Sequence, residues 1–239
     1  MIYESRLVSS EVVAEGTMAF HFERPSIFKH RAGQNMLVTL IDPPESDAKG
    51  PSRTFTIASA PHEPRITFAT RMRDSAFKRV LKSAAPGLRA KIDGPDGFLT
   101  LHEDASRPAA FLAGGIGITP FLSMARDAAE RRLPHRIVLF YSNRRPEDSA
   151  FLDELRGLEQ VNLNYRLVAT MTDPSKSSRP WSGETGFIRR ELLERHLPDL
   201  AAPIYYMAGP PAMMMAMRAM LEECGVAEKD MKDEEFFGY

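Results

Sequence analysis

In the first hundred residues, short runs of apolar residues alternate with polar ones. "RLVSSEVVA", "TMAFHFER", "NMLVTLID", "RTFTIAS", "RITFATRM" and "RAKIDG" are rich in β-branched and aromatic residues, the composition of half-buried strands. Turn residues separate them at Glu15-Gly16, Pro25, Gly33, Pro43-Pro44, Pro61, Pro64 and Pro86-Gly87. Strands at this spacing predict a sandwich or barrel. One helix interrupts them. In "DSAFKRVLKSA", Phe77, Val80, Leu81 and Ala84 recur at helical spacing, with Asp74 or Ser75 as the cap.

"HEDASRP", residues 102–108, is polar and ends in proline, and reads as a linker. Beyond it the rhythm changes to strand–helix alternation. "AAFLA" precedes a helix with Phe121, Met124, Ala125, Ala128 and Ala129 on one face. "RIVLFYS" precedes "PEDSAFLDELRGL"; "NLNYRLVAT" precedes a loop and "RRELLERHL"; "IYYMAG" precedes "PAMMMAMRAMLEEC". Buried strands with crossover helices predict a parallel sheet covered on both faces. The expected fold is therefore a two-domain β plus α/β chain, with domains at 1–103 and 108–239. Met213, Met217, Met220, Leu221 and Cys224 share one helix face, read here as core.

Composition narrows the function classes. Hydrophobic residues make up 43% and charged residues 26% of 239, the profile of a globular chain. A net charge of −1 argues against a dedicated nucleic-acid binder. The single cysteine, Cys224, excludes an intrachain disulfide framework and an iron–sulfur cluster of the chain's own. The six histidines show no paired ligand spacing, so no metal site is expected. The N-terminus carries charges where a signal peptide needs an apolar core, and no apolar run approaches the ~20 residues of a membrane span. The expectation is a cytoplasmic protein.

The candidate chemistry sits at strand ends. "GGIGITP", residues 114–120, follows a buried strand and opens a helix. Gly115 and Gly117 lack Cβ and would let a phosphate approach the backbone; Thr119 is placed as N-cap and Pro120 at the first helical position. A tight turn using glycines only for packing has the same signature. "MAGPPAM", residues 207–213, repeats the design, and two such turns at one sheet edge favour a dinucleotide site. No acidic residue occupies 141–145, where a free ribose 2′-OH would be read; Ser142 and Arg144 lean toward a 2′-phosphate. A solvated loop with capping arginines is the alternative there.

Taken in order, these stretches resemble the ferredoxin–NADP⁺ reductase family over nearly the whole chain. "AGQ" at 32–34, "RTFTIAS" at 53–59, "GPDGF" at 94–98, "GGIGITP", "MAGPP" and the terminal "EEFFGY" carry the resemblance. It implies an antiparallel flavin-binding barrel followed by a parallel-sheet NAD(P)-binding domain whose tail reaches the flavin. It implies FAD, with FMN as the alternative, and NADPH or NADH as donor. Flavin contacts would come from Arg53, Thr54, Phe55, Thr56, Thr70, Arg71, Arg73, Ser75, Phe237 and Tyr239. Nucleotide contacts would come from Gly115, Gly117, Ile118, Thr119, Pro120, Ser142, Arg144, Gly209, Pro210 and Met213. Thr56 near flavin N5, Thr119 near the nicotinamide and Glu235 at the flavin's other face are the implied catalytic residues.

Three positions depart from the family pattern. Phe55 stands for its tyrosine, Ala208 for the cysteine beside the nicotinamide, and "RMRD" before Ser75 lacks its glycines. The implied activity is hydride transfer from NAD(P)H to flavin, then electron delivery to a separate acceptor protein, with no nucleic acid or membrane partner. A free-flavin reductase and a non-turnover flavin- and nucleotide-binding relay subunit are the competing readings.

Overall fold

The structure is a computed structural model and describes residues 1–233. Glu235, Phe237 and Tyr239 therefore lie outside the described residues. The first sheet comprises β1 (Ile2–Ala14), β2 (Thr17–Glu23), β3 (Asn35–Leu40), β4 (Ser52–Thr56), β5 (Arg65–Arg71) and β6 (Arg89–Asp96). It is antiparallel throughout, in the order β4-β3-β6-β1-β2-β5. Alternation drives it: Phe20, Phe22, Phe68, Met36 and Ile92 point inward and are fully buried. Register shifts in β1 bend the sheet. It curls until the residue pair after β4 meets β5, where the Ala58 N–H donates to the Thr67 carbonyl at 2.7 Å. Helix α1 (Ala76–Ser83) plugs this half-barrel with Phe77, Val80 and Leu81.

The second sheet is parallel, in the order β10-β9-β8-β7-β11-β12. Its strands are β7 (Ala109–Gly114), β8 (Ile137–Asn143), β9 (Tyr165–Met171), β10 (Glu184–Thr185), β11 (Ile204–Ala208) and β12 (Met231–Asp233). Helices α2 (Thr119–Glu130) and α3 (Leu152–Val161) cover one face through Phe121 and Leu155. Helices α4 (Arg190–His196) and α5 (Pro211–Glu223) cover the other through Leu193, Met217 and Leu221. β7 is buried along its whole length, as its unbroken apolar run requires. No helix among the described residues is long and apolar enough to cross a membrane.

Three local expectations need correction. Thr119 is not an N-cap: a 3₁₀ turn over Gly115–Ile118 starts the helical path earlier, and Thr119 is already helical with its hydroxyl donating to the Ile116 carbonyl at 3.2 Å. The helix expected from Pro146 is split: a 3₁₀ turn spans Pro146–Asp148, and α3 begins only after Phe151, at φ +60°. In α5 the most buried residues are Met214, Met217 and Leu221, so the core face includes Met214, which was not expected there; Met213, Met220 and Cys224 pack partly buried against the same core, and Met213 and Met220 also line the strand-end cleft.

The sheets are tied at α2. Ser123 Oγ donates to the Ser59 carbonyl at 2.8 Å. Arg126 reaches the Ala58 carbonyl and Glu63, each at 3.3 Å, and Glu154 at 2.5 and 2.8 Å. This brings the exit of β4 against the helix that follows the glycine turn.

Candidate functional site

β7 and β11 are neighbours in register, Ala113 opposite Ala208, and each runs through glycine into a helix. The glycines let the two turns nest. A Cβ on Gly114 would sit 2.4 Å from Met213 Sδ, and one on Gly117 would sit 2.3 Å from the Ala208 carbonyl oxygen. Gly117 is thus a packing glycine, and not the open approach for a phosphate that its spacing suggests. Gly115 differs. Its φ of +55° suits glycine, and the place of its missing Cβ faces the Arg71 guanidinium at 3.4 Å. The first N–H groups of such a turn lack intrahelical partners.

A cleft of about 1040 Å³ opens there between the two sheets. From the expected nucleotide set it gathers Gly115, Ser142, Arg144, Gly209, Pro210 and Met213. Arg71 and Arg73, expected at the flavin, line it from the other sheet. Gly117, Ile118, Thr119 and Pro120 are buried behind the turn and do not line it. Arg144 is exposed toward the cleft. Its neighbour Arg145 is engaged elsewhere, with Asp148 at 3.0 Å and Glu15 at 2.9 Å.

Sequence reasoning missed Phe187, Arg189, Arg190 and Glu191, which line the same cleft. Phe187 is 65% exposed beside the buried anchor Ile188. A signal existed: Arg189 and Arg190 stand at the start of α4, where a helix dipole disfavours cations, and of the two Arg190 is answered within the helix by Glu194 at 2.7 Å. With Arg71, Arg73 and Arg144 they make the cleft strongly basic, Glu191 being its one acidic lining residue among those described.

On the first sheet, Thr54 is exposed and Thr56 is buried at the end of β4. Phe55 stacks on Phe68, with centroids 4.2 Å apart and 13° between planes. Arg53 lies over Phe77 at 5.4 Å and donates to the Lys49, Gly50 and Ser52 carbonyls and to Asp47. Ser75 caps α1, its Oγ accepting from Lys78 N–H at 3.3 Å. Thr70 is buried and donates to the Arg71 carbonyl. That carbonyl also holds Lys78 Nζ at 2.7 Å. Burial, then the charges of Arg73, Arg53 and Lys49, pull the Lys78 ammonium down to about 8. Such crowding of cations around a helix start suits an anionic group. Among the described residues no group of three or more His, Cys, Asp or Glu is placed to hold a metal ion.

The family described as "Oxidoreductase NAD-binding domain" matches residues 111–219. A subunit of the Na(+)-translocating NADH-quinone reductase of Yersinia pestis (strain Pestoides F) is 33% identical over 160 residues, 65% of this chain and 39% of that one. The chain thus spans about two fifths of that relative's length. The glycine betaine monooxygenase reductase subunit of Chromohalobacter salexigens is 26% identical over 223 residues, 92% of this chain and 60% of that one. In fold, the chain matches a ferredoxin NADP+ reductase from Neisseria gonorrhoeae with bound FAD and NADP: TM-score 0.80, 22% identity, 98% of each chain covered.

Proposed function

We propose that this chain, which belongs to the ferredoxin–NADP⁺ reductase-like flavoprotein reductases, takes hydride from NAD(P)H onto FAD and passes electrons to a separate acceptor protein. The carrying observation is the basic cleft in which Arg71 and Arg73 of one sheet meet the Gly115 turn of the other. A cleft of this size suits a dinucleotide, and its position at parallel strand ends is where such ligands bind. The relatives' names add reductase chemistry on pyridine nucleotides and oxygenase systems to this reading.

FAD supplies a hydride acceptor that can release electrons one at a time. The chain's own residues bind and orient. Arg53, Arg73, Lys78 and the capped start of α1 supply positive charge and N–H donors for the flavin phosphates. With FAD bound, Phe55 and Thr56 at the end of β4 would hold its isoalloxazine end. Arg71 spans from β5 to the glycine turn, so the nucleotide diphosphate docks between sheets and aligns donor with acceptor. That alignment is the main catalytic contribution. Arg144, Arg189 and Arg190 favour a 2′-phosphate, hence NADPH.

The test is a visible spectrum of the purified protein, then anaerobic NADPH or NADH. A flavin spectrum bleached by nucleotide, faster by NADPH, is expected. A flavin spectrum that neither nucleotide bleaches would favour a relay subunit. A colourless protein that reduces added flavin would favour a free-flavin reductase.

A further inference from the structure

The segment between β3 and β4, residues 42–51, lies over the start of α1. Two carboxylates hold it there. Glu45 accepts from Arg79 Nε at 3.1 Å and from Nη2 at 2.7 Å. Asp47 reaches further in. One oxygen accepts from Arg53 Nη2 at 3.2 Å and from the Lys49 N–H at 2.9 Å; the other accepts from the Ala76 N–H at 3.0 Å. The Asp47 carboxylate thus binds a guanidinium and a helix-start amide together, the donor pair that suits a phosphate.

We propose that the 42–51 segment is a strap whose Asp47 carboxylate occupies the flavin-phosphate position, so that a phosphorylated flavin must displace it to bind. The inference rests on the flavin reading above. Two anions cannot share the Arg53 fork and the Ala76 N–H, because like charges at contact repel. The local balance favours the incoming phosphate. Arg53, Arg73, Lys78 and Lys49 crowd the helix start, and a flavin phosphate carries more charge than one carboxylate. The tethered Asp47 nevertheless taxes every binding event: apparent affinity falls by the fraction of molecules with the strap open. Asp47 therefore sets an exchangeable hold on the flavin, and the toll applies only to flavins that carry phosphate.

Asp47→Ala removes the competitor. Titrating wild type and variant with FAD, FMN and riboflavin, followed by flavin fluorescence, reads the effect. Kd for FAD and FMN is expected to fall about tenfold, with riboflavin unchanged. Unchanged or weaker FAD and FMN binding would mean that Asp47 is a fixed organiser of Arg53, and would overturn the proposal. A gain shared equally by riboflavin overturns it too. Wild-type protein gives a second reading. Trypsin cleavage after Lys49, followed by mass spectrometry, is expected to accelerate with saturating FMN as the strap lifts. If Asp47→Ala does not fold, this measurement decides alone, and equal cleavage rates refute the strap. If wild type binds none of the three flavins, the flavin reading itself fails, and the strap with it; binding without competition sinks only the strap.

Discussion

Phe187 spends most of its ring in water at the edge of a basic cleft, with the exposed Arg144 lining the same space. Folding gains little from it, since Ile188 next to it provides the buried anchor. A flat apolar face among guanidinium groups suits a purine, because every base presents a π-face for stacking. Phe187→Ala is expected to raise KM for NAD(P)H about tenfold, with kcat and Tm unchanged. Phe187→Trp retains the affinity. Steady-state kinetics with an artificial acceptor, alongside thermal unfolding, makes the check, and an unchanged KM would remove the ring from the nucleotide site. The glycines give the contrasting lesson. Sequence spacing makes Gly115 and Gly117 look equivalent, but one faces Arg71 and the other makes room for the Ala208 carbonyl. That distinction depends on β11, more than eighty positions away in the chain, and no local pattern carries it.

Among the elements, α1 shows how local sequence can place chemistry. Its apolar face was legible and its cap narrowed to Asp74 or Ser75, because the cap and the Phe77, Val80, Leu81 spacing act over single turns; Ala84, expected on the same face, instead ends the helix in extended backbone. Its electrostatics were not legible, since Arg53 and Arg73 approach Lys78 from outside the helix. The consequence is a pH effect with a definite sign. Below about pH 8 the Lys78 ammonium is charged and, on the proposed reading, would draw a flavin phosphate; above it the ligand-free chain loses that proton. FAD affinity is expected to weaken as pH rises past about 8, riboflavin affinity to stay flat, and Lys78→Met to abolish the difference. Stability runs the opposite way. The unfolded chain keeps this proton up to 10.5, so between about 8 and 10.5 it binds more protons than the folded one, and this group's contribution to stability rises with pH. Fluorescence titrations at pH 6.5, 8 and 9.5 (chosen to bracket that value) test it; equal FAD affinities across them would discard the role. Elsewhere the short elements escaped the sequence. β10 has two residues and β12 three, too few for any periodicity, and each exists only because a longer parallel strand offers it hydrogen bonds. The 3₁₀ start before α2 escaped for a related reason: Thr-Pro is a strong local start signal, but the glycine turn already follows a helical path before it.

For the whole molecule, the function depends on how the two sheets are held. The proposed hydride transfer would need nucleotide and flavin fixed closely against each other, and on that reading each is held by a different sheet. Arg71 can meet the Gly115 turn only if α2 stays docked on the exit of β4. Arg126 is the main fastener there, 18% exposed, joining α2 to the Ala58 carbonyl and Glu63 of the β4–β5 connection and to Glu154 of α3. Without its cation, Glu63 and Glu154 lose the guanidinium they share. Arg126→Met keeps the volume and removes the charge. The expected cost is about 2 kcal/mol, the scale of a lost charge-assisted hydrogen bond, which for a chain of this size lowers Tm by roughly 4–8 °C. The kinetic cost should exceed what stability alone explains. Well below the new Tm, the anaerobic rate of flavin reduction is expected to fall about tenfold or more, while the Kd of NADP⁺ changes little, because the arginines of the cleft remain in place. A fall in Tm with an unaltered reduction rate would show that the seam supports the fold without aligning the reactants. A fall in both would assign α2 the task of joining the two sites.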